Sequence, residues 1–234
     1  MNMTKRQLLS LFIVFSLTAT ICFADSGDFL DGYYGNPTSY ANFSFTDISE
    51  TPWAAEAVEY LAKYKIVSGS DGLFYPNRSI TRAEFVKILV LAFGLYDRKA
   101  VCLFYDVPRE SWQYPYIASA KNLGITSGIT DTEFGPDLPI TREQMVTLAH
   151  KATFLDKDSQ THFTDGSDLI SFADESEISA YASEAANTFL RLGIIKGDEN
   201  GMFNPKNNAT RAEACKMIYS IITKITIADL NDLP

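Results

Sequence analysis

The stretch FGPDLPITREQ at residues 134–144 has two counterparts in the chain, FYPNRSITRAE at 74–84 and FNPKNNATRAE at 203–213. In each copy a Thr is followed three residues later by Glu or Gln, and then by apolar residues at helical spacing. This pattern is a capping box, in which the Thr side chain accepts from the third helical amide and the Glu or Gln side chain accepts from the Thr amide. The three copies therefore predict three helices with the same start.

An Arg occupies the first helical position of every copy: Arg82, Arg142 and Arg211. A cation is mildly unfavourable there because it lies beside the positive end of the helix dipole. Helix formation alone therefore does not explain the Arg, whereas a guanidinium beside free backbone amides suits an anion. We expect the Arg residues to bind an anionic ligand, with a solvated charge or a salt bridge as the alternative. The capping Thr and Glu or Gln are expected to be structural.

Three further features recur upstream and extend each repeat to about fifty residues. They are a Gly at the end of the first helix (Gly69, Gly128, Gly197), an aromatic residue sixteen positions earlier (Trp53, Trp112, Tyr181) and a Phe-x-Asp motif (Asp47, Asp106, Asp174). Segments 53–65, 112–124 and 181–193 have the apolar spacing of helices. The sequence thus predicts a mainly α fold of three helix-loop-helix repeats. Since one unit cannot bury both faces, we expect the second helices to pack in a central bundle.

The segments outside the repeats are short. Lys5 and Arg6, followed by an apolar run from Leu8 to about Phe23, predict a signal peptide at 1–24, and Ser and Thr interruptions argue against a retained membrane span. A flexible lead-in is expected at 25–43, repeats at 44–97, 104–155 and 170–223, and a tail at 224–234. Cys215 is expected to be a buried free thiol, without a disulfide framework.

Charge and motif content narrow the classes of function. Cleavage after residue 24 lowers Lys+Arg from 20 to 18 against 29 Asp+Glu, so the net charge changes from −9 to −11 and nucleic acid is not an expected partner. The two histidines, His150 and His162, have no metal-ligand spacing, and no nucleophile motif or apolar-flanked pair of carboxylates is present. We therefore expect no enzyme activity, no cofactor and no metal site.

These motifs resemble the S-layer homology domain, present as three tandem copies over about 44–223. The stretches WQYPYIASAKNLGITSGITDTEFGPDLPITREQM (112–145) and ISAYASEAANTFLRLGIIKGDENGMFNPKNNATRAEA (178–214) are similar to second and third copies of such anchors in Gram-positive secreted proteins. The resemblance implies a pseudo-trimeric, three-pronged bundle of helices. It also implies binding of an anionic secondary cell-wall polysaccharide, typically through a pyruvate ketal on an amino sugar, and a location on the cell wall.

The resemblance also implies which residues bind the glycan, in grooves between neighbouring repeats. In these grooves Arg82, Arg142 and Arg211 would bind the carboxylate of the ligand. The Asp, the aromatic residue and the Gly of each unit would complete the site. A helix-capping or turn role competes for the Asp residues, and a partly buried core role for Trp53 and Trp112. Two residues depart from the pattern: Gln144 within TREQ keeps the cap, whereas Tyr181 weakens sugar stacking in its groove.

The sequence therefore favours a secreted, non-catalytic wall-binding module. The alternative is a structural protein of the S-layer, which contacts other surface proteins rather than glycan.

Overall fold

A computed structural model describes residues 45–155 and 171–231 of the chain, with side chains as far as Lys224. The predicted signal peptide and flexible lead-in lie outside the described residues, as do residues 156–170 and 232–234.

Each repeat contributes two α-helices. These are α1 (Ala55–Lys63) and α2 (Arg82–Ala92), α3 (Tyr114–Asn122) and α4 (Arg142–Thr153), and α5 (Ala180–Arg191) and α6 (Arg211–Asn231). Short 3-10 turns at Ile48–Glu50, Pro52–Ala54 and Glu175–Glu177 precede the first helices of the first and third repeats. The predicted mainly α fold of helix-loop-helix units is confirmed.

The capping boxes are formed at the starts of the second helices. Thr81 Oγ1 accepts from Glu84 N at 3.2 Å, and the Glu84 side chain accepts from Thr81 N at 2.9 Å. The same reciprocal pair is formed by Thr141 with Gln144 and by Thr210 with Glu213. A residue with positive φ follows each first helix and stops it, at Lys65, Gly124 and Gly193. The prediction that Gly69, Gly128 and Gly197 end the first helices is therefore wrong, because these glycines lie four residues beyond the residues that do so.

The helices pack as a ring of three prongs. The second helices α2, α4 and α6 contact one another, which confirms the predicted central bundle. Each first helix then packs against the second helix of the preceding repeat, α3 on α2 and α5 on α4, and α1 closes the ring on α6. Every prong is therefore built from two different repeats, so a cleft along a prong collects residues from both.

A triangle of backbone hydrogen bonds joins the three repeats just before their second helices. Ile80 N donates to Ala209 O at 3.0 Å, Ala209 N donates to Ile140 O at 2.9 Å, and Ile140 N donates to Ile80 O at 3.1 Å. These residues are buried and each immediately precedes a capping Thr. The triangle thus fixes the starts of the second helices relative to one another.

Pairs of aromatic rings anchor each loop to its own repeat. The Phe of the Phe-x-Asp motif lies next to the Phe of the loop, with ring centroids 4.9–5.8 Å apart in the pairs Phe45–Phe74, Phe104–Phe134 and Phe172–Phe203. All six rings are buried, and burial of a ring of this size contributes about 1.5–3 kcal/mol. Cys215 is a fully buried free thiol, as predicted, and burial raises its pKa to about 12.

Candidate ligand-binding grooves

A cleft runs between α2 and the start of the first helix of the second repeat. It is lined by Ile66, Val67, Ser68, Glu84, Lys87, Ile88, Trp112 and Arg211, so all three repeats contribute to it. We name it the Trp112 groove. The threefold relation between repeats places Gln144, Thr147, Tyr181 and Arg82 at the corresponding positions of a Tyr181 groove, and Glu213, Lys216, Trp53 and Arg142 at those of a Trp53 groove.

The groove aromatics are among the exposed large hydrophobic side chains of the described residues. Trp53, Trp112 and Tyr181 are 52%, 53% and 55% exposed. The Lys87 ammonium lies 5.6 Å from the centre of the Trp112 ring. An exposed aromatic face beside a cation can pack against the apolar face of a ligand and attract a negative charge that the ligand carries.

The amides at the starts of the second helices are not free, and this part of the sequence interpretation is wrong. Arg82 N donates to Leu138 O at 2.9 Å and Ala83 N donates to Pro136 O at 3.0 Å, both in the loop of the next repeat. The amides of Arg142 and Arg211, and of the residues after them, make equivalent bonds. Since the third amide donates to the capping Thr, the helix starts offer no vacant donors for an anion.

The Arg side chains bind the next repeat as well. The Nε atoms of Arg82, Arg142 and Arg211 donate to the carbonyl oxygens of Phe134, Phe203 and Phe74, at 2.7–3.0 Å, and each guanidinium lies over the ring of the same Phe. The capping residue of that repeat is a second partner: Gln144 for Arg82, Glu213 for Arg142 and Glu84 for Arg211. The salt-bridge alternative thus applies to two of the three, although Arg211 also lines the Trp112 groove.

The Asp residues of the Phe-x-Asp motifs hold the loops in place. Asp106 accepts from Phe134 N at 2.9 Å and from Gly135 N at 2.6 Å. Asp47 accepts from Phe74 N and Tyr75 N, and Asp174 from Phe203 N and Asn204 N. Each Asp therefore satisfies two loop amides, and it presents the loop carbonyl that the Arg of another repeat binds. Glycan contact by the Asp residues stays a prediction.

The repeated glycines have a steric reason of their own. A Cβ on Gly128 would lie 2.5 Å from the carbonyl oxygens of Thr130 and Glu133, and Gly128 has a φ of +92°. A Cβ on Gly69 would lie 2.1 Å from Leu73 O, and one on Gly197 would lie 2.6 Å from Gly201 C. The tight turn accounts for these glycines, and their approach to a ligand stays a prediction.

Lys87 and Lys216 were missed in the sequence. They lie three residues after the capping Glu, one helical turn along the same face. Their fixed position relative to the capping residue could have predicted them. The second repeat has Thr147 at this position. Both lysines are partly exposed, so they present the accessible positive charge of their grooves, whereas burial lowers the pKa of the Arg82 and Arg211 guanidinium groups.

Among residues 45–155 and 171–231, no group of three or more His, Cys, Asp or Glu side chains is placed to hold a metal ion. Within the same residues, none of the helices is both long enough and apolar enough to cross a membrane.

Comparison with known proteins gives a direct family match. The model of the S-layer homology domain matches residues 44–86, 103–146 and 171–215, more than half of the chain. The chain belongs to the S-layer homology family. The three matches each contain one capping box and one Phe-x-Asp motif, so the repeat that builds the grooves is the repeat that defines the family.

Relatives of the chain include enzymes and surface-layer proteins. It is 31% identical over 189 residues to an endoglucanase of Bacillus sp. (strain KSM-635), covering 80% of this chain and 19% of the endoglucanase. It is 33% identical over 193 residues to an amylopullulanase of Thermoanaerobacterium thermosulfurigenes (80% and 10%), and 31% identical over 186 residues to the S-layer protein sap of Bacillus anthracis (78% and 22%). The chain thus spans about a fifth or less of the first two, and family and surface-layer relatives together support a cell-surface module.

Proposed function

We propose that this chain is a secreted, non-catalytic module that anchors to the bacterial cell wall by binding an anionic secondary cell-wall polysaccharide in the grooves between its repeats. Membership in the S-layer homology family supports the anchoring role. The observation that carries the choice of ligand is the Trp112 groove, where an exposed ring, Lys87 and Arg211 line one cleft.

The cleft suits one sugar residue rather than a long oligosaccharide. Its volume is about 190 Å³, below the roughly 300 Å³ at which pockets for drug-sized ligands begin. Lys87 can approach a carboxylate while staying beside its ring neighbours, because its ammonium lies over the rings of Trp112 and Tyr116. A pyruvate ketal places a carboxylate beside a compact apolar group on a sugar, which matches this combination of cation and ring.

Retention on purified cell wall tests the proposal. The protein should sediment with intact wall and stay in solution after the secondary polysaccharide has been removed. Combined Trp53→Ala and Trp112→Ala substitutions should reduce retention at least tenfold, because both ring platforms are lost. Equal retention on intact and stripped wall would exclude the glycan as the receptor.

A matched control separates the grooves from general surface effects. Tyr105 is 70% exposed and lies outside the groove-lining set, so Tyr105→Ala removes an aromatic ring of similar accessibility. Retention of this variant should equal that of the unchanged protein. Substitution of the groove arginines is a poorer test, because their side chains also join the repeats.

Contact with other surface proteins is the second candidate, and exposed apolar residues in one repeat favour it. Leu103, Tyr105, Ile129 and Leu138 are exposed in the second repeat, where the first repeat has Ser44, Thr46, Ser70 and Arg78. This candidate predicts that Leu103→Ser with Tyr105→Ser abolishes retention on a surface carrying other S-layer proteins, and that removal of the polysaccharide does not.

A further inference from the structure

The two departures from the repeat pattern, TREQ and Tyr181, meet in one groove. Glu143 replaces the alanine that the other repeats have at Ala83 and Ala212. It is buried, with 5% of the residue exposed. Its Oε1 accepts from the Tyr181 hydroxyl at 3.0 Å, and its Oε2 accepts from Ser179 N at 3.0 Å. The sequence places these residues in different repeats, and the packing of α5 on α4 brings them together.

Lys206 completes a closed network around this carboxylate. Its Nζ donates to Glu143 Oε1 and Oε2 at 2.7 and 2.8 Å and to Ser179 Oγ at 2.6 Å. Both Glu143 oxygens are therefore occupied, and the Tyr181 ring is fixed by its hydroxyl. The tryptophans at the corresponding positions have no hydroxyl group, and the positions of Lys206 are taken by Asn77 and Asp137 in the other repeats, so this network is specific to the Tyr181 groove.

The same groove lacks a cation at the position of Lys87 and Lys216, and the half-exposed ammonium of Lys206 is already bonded to Glu143 and Ser179. Thr147 takes the place of Lys87 and Lys216, and its hydroxyl donates to Glu143 O within α4. Arg82 remains, but it is only 5% exposed as a residue and bonds Phe134 O and the neutral Gln144 side chain. Among the described residues no carboxylate is bonded to the Arg82 guanidinium, and Asp106 attracts it only from a distance. Arg82 is therefore the feature at the bottom of this groove that most favours an anion.

We propose that the Tyr181 groove does not take the anionic sugar and that the chain carries two such sites, in the Trp112 and Trp53 grooves. Glu143 and Thr147 are the residues that set this difference: Thr147 omits the exposed cation, and Glu143 fixes the aromatic ring within a hydrogen-bonded network. This inference rests on the proposed function. The sequence analysis expected Tyr181 alone to weaken sugar binding in this groove. The inference adds Glu143 and Thr147 as causes and sets the number of sites at two.

The two tryptophans give each active groove its own reporter, because the chain contains only Trp53 and Trp112. The probe is a synthetic pyruvylated N-acetylhexosamine glycoside, with its unpyruvylated form as the control, titrated into 15N-labelled protein. Both indole signals should shift, and calorimetry should give two sites per chain. Lys87→Ala with Lys216→Ala should weaken binding at least tenfold, whereas Thr147→Ala should change nothing.

A gain-of-function variant tests the two determining residues directly. Tyr181→Trp introduces an indole reporter into the third groove, and its signal should not respond to the probe. Addition of Glu143→Ala and Thr147→Lys, which installs the residues of the other repeats, should make this signal respond and raise the stoichiometry to three.

The outcomes separate the two proposals. Three sites in the unchanged protein, or one site remaining in the Lys87→Ala/Lys216→Ala variant, would show that Arg82 and Lys206 hold the anion in the Tyr181 groove. Either result would overturn the inference while leaving the proposed function intact. A Tyr181→Trp signal that responds without the other two substitutions would also overturn it. The absence of any binding to the unchanged protein would defeat both.

Discussion

The floor and the rim of each groove differ in how far their residues are committed to the fold. The floor consists of the repeated Arg and the loop that the Asp holds, and in the Trp112 groove Arg211 bonds Phe74 O, Ser68 O and Glu84. The rim consists of Trp112 and Lys87, which are partly exposed and contact each other. The floor residues thus have partners within the fold, and the rim residues are the more accessible to a ligand. Ligand binding by the repeated arginines stays a prediction.

Removal of a floor arginine should have the largest effect on stability. Arg211→Ala breaks two hydrogen bonds to carbonyl oxygens and leaves Glu84 without its second cation. We expect the free energy of unfolding to fall by about 3 kcal/mol, because charged donors contribute about 1.5–3 kcal/mol each when partly buried. Urea denaturation followed by circular dichroism measures the loss.

Lys99→Ala provides the control for this variant, since Lys99 is an exposed cation outside the grooves. Its effect should lie within about 0.5 kcal/mol. Equal stability of the Arg211→Ala and Lys99→Ala variants would mean that the arginines do not hold the ring closed, and their role would then be ligand binding alone.

A loop aspartate should give the next largest effect. Asp174 is buried, and its two oxygens accept from Phe203 N and Asn204 N, both at 2.7 Å. Asp174→Asn keeps the shape but presents an NH2 group to one of these donors, so we expect a loss of about 2 kcal/mol. For a chain of this size that corresponds to a fall in the midpoint of thermal unfolding of roughly 4–8 °C.

Glycan binding distinguishes this variant from a rim variant. The probe affinity of folded Asp174→Asn protein, measured well below its unfolding midpoint, should stay close to that of the unchanged chain. A large loss of affinity without a loss of stability would place Asp174 at the ligand instead of beneath it.

The sequence predicted the architecture because the capping box and the apolar spacing are local. Thr81 and Glu84 reveal their helix start at a separation of three residues, whatever the rest of the chain does. The groove could be predicted only in outline, since the partners of Arg82 lie 52 and 62 residues away in another repeat. The same loop also accepts hydrogen bonds from the amides at the helix start, which the sequence had predicted to be free for an anion. No local sequence pattern encodes that contact.

A rim tryptophan should matter little for stability. Trp112 is half-exposed, so Trp112→Ala should cost under about 1 kcal/mol, less than the 3–5 kcal/mol of a fully buried ring. The expected result is a near-normal urea midpoint together with weakened retention on wall. A loss as large as that of Arg211→Ala would show that the ring is part of the core, which was the competing interpretation of the sequence.

The smallest expected effect is on the titration of Tyr181, whose hydroxyl is bonded to Glu143 in the Tyr181 groove. Burial and the hydrogen bond to Glu143 raise the pKa of Tyr181 to about 12, so the folded state holds this proton more tightly than the unfolded state does. The resulting stabilisation is present below pH 10 and is lost as the pH rises through the folded pKa.

Tyr219 is a second tyrosine that titrates late, because burial and a hydrogen bond to Glu56 raise its pKa to about 12 as well. Absorbance titration of phenolate should therefore show that Tyr181→Phe removes a late step, and that Glu143→Gln moves this step toward pH 10. A Tyr181 that titrates near pH 10 in the unchanged protein would mean that its hydroxyl is not held by Glu143, and the difference between the grooves would then rest on Thr147 alone.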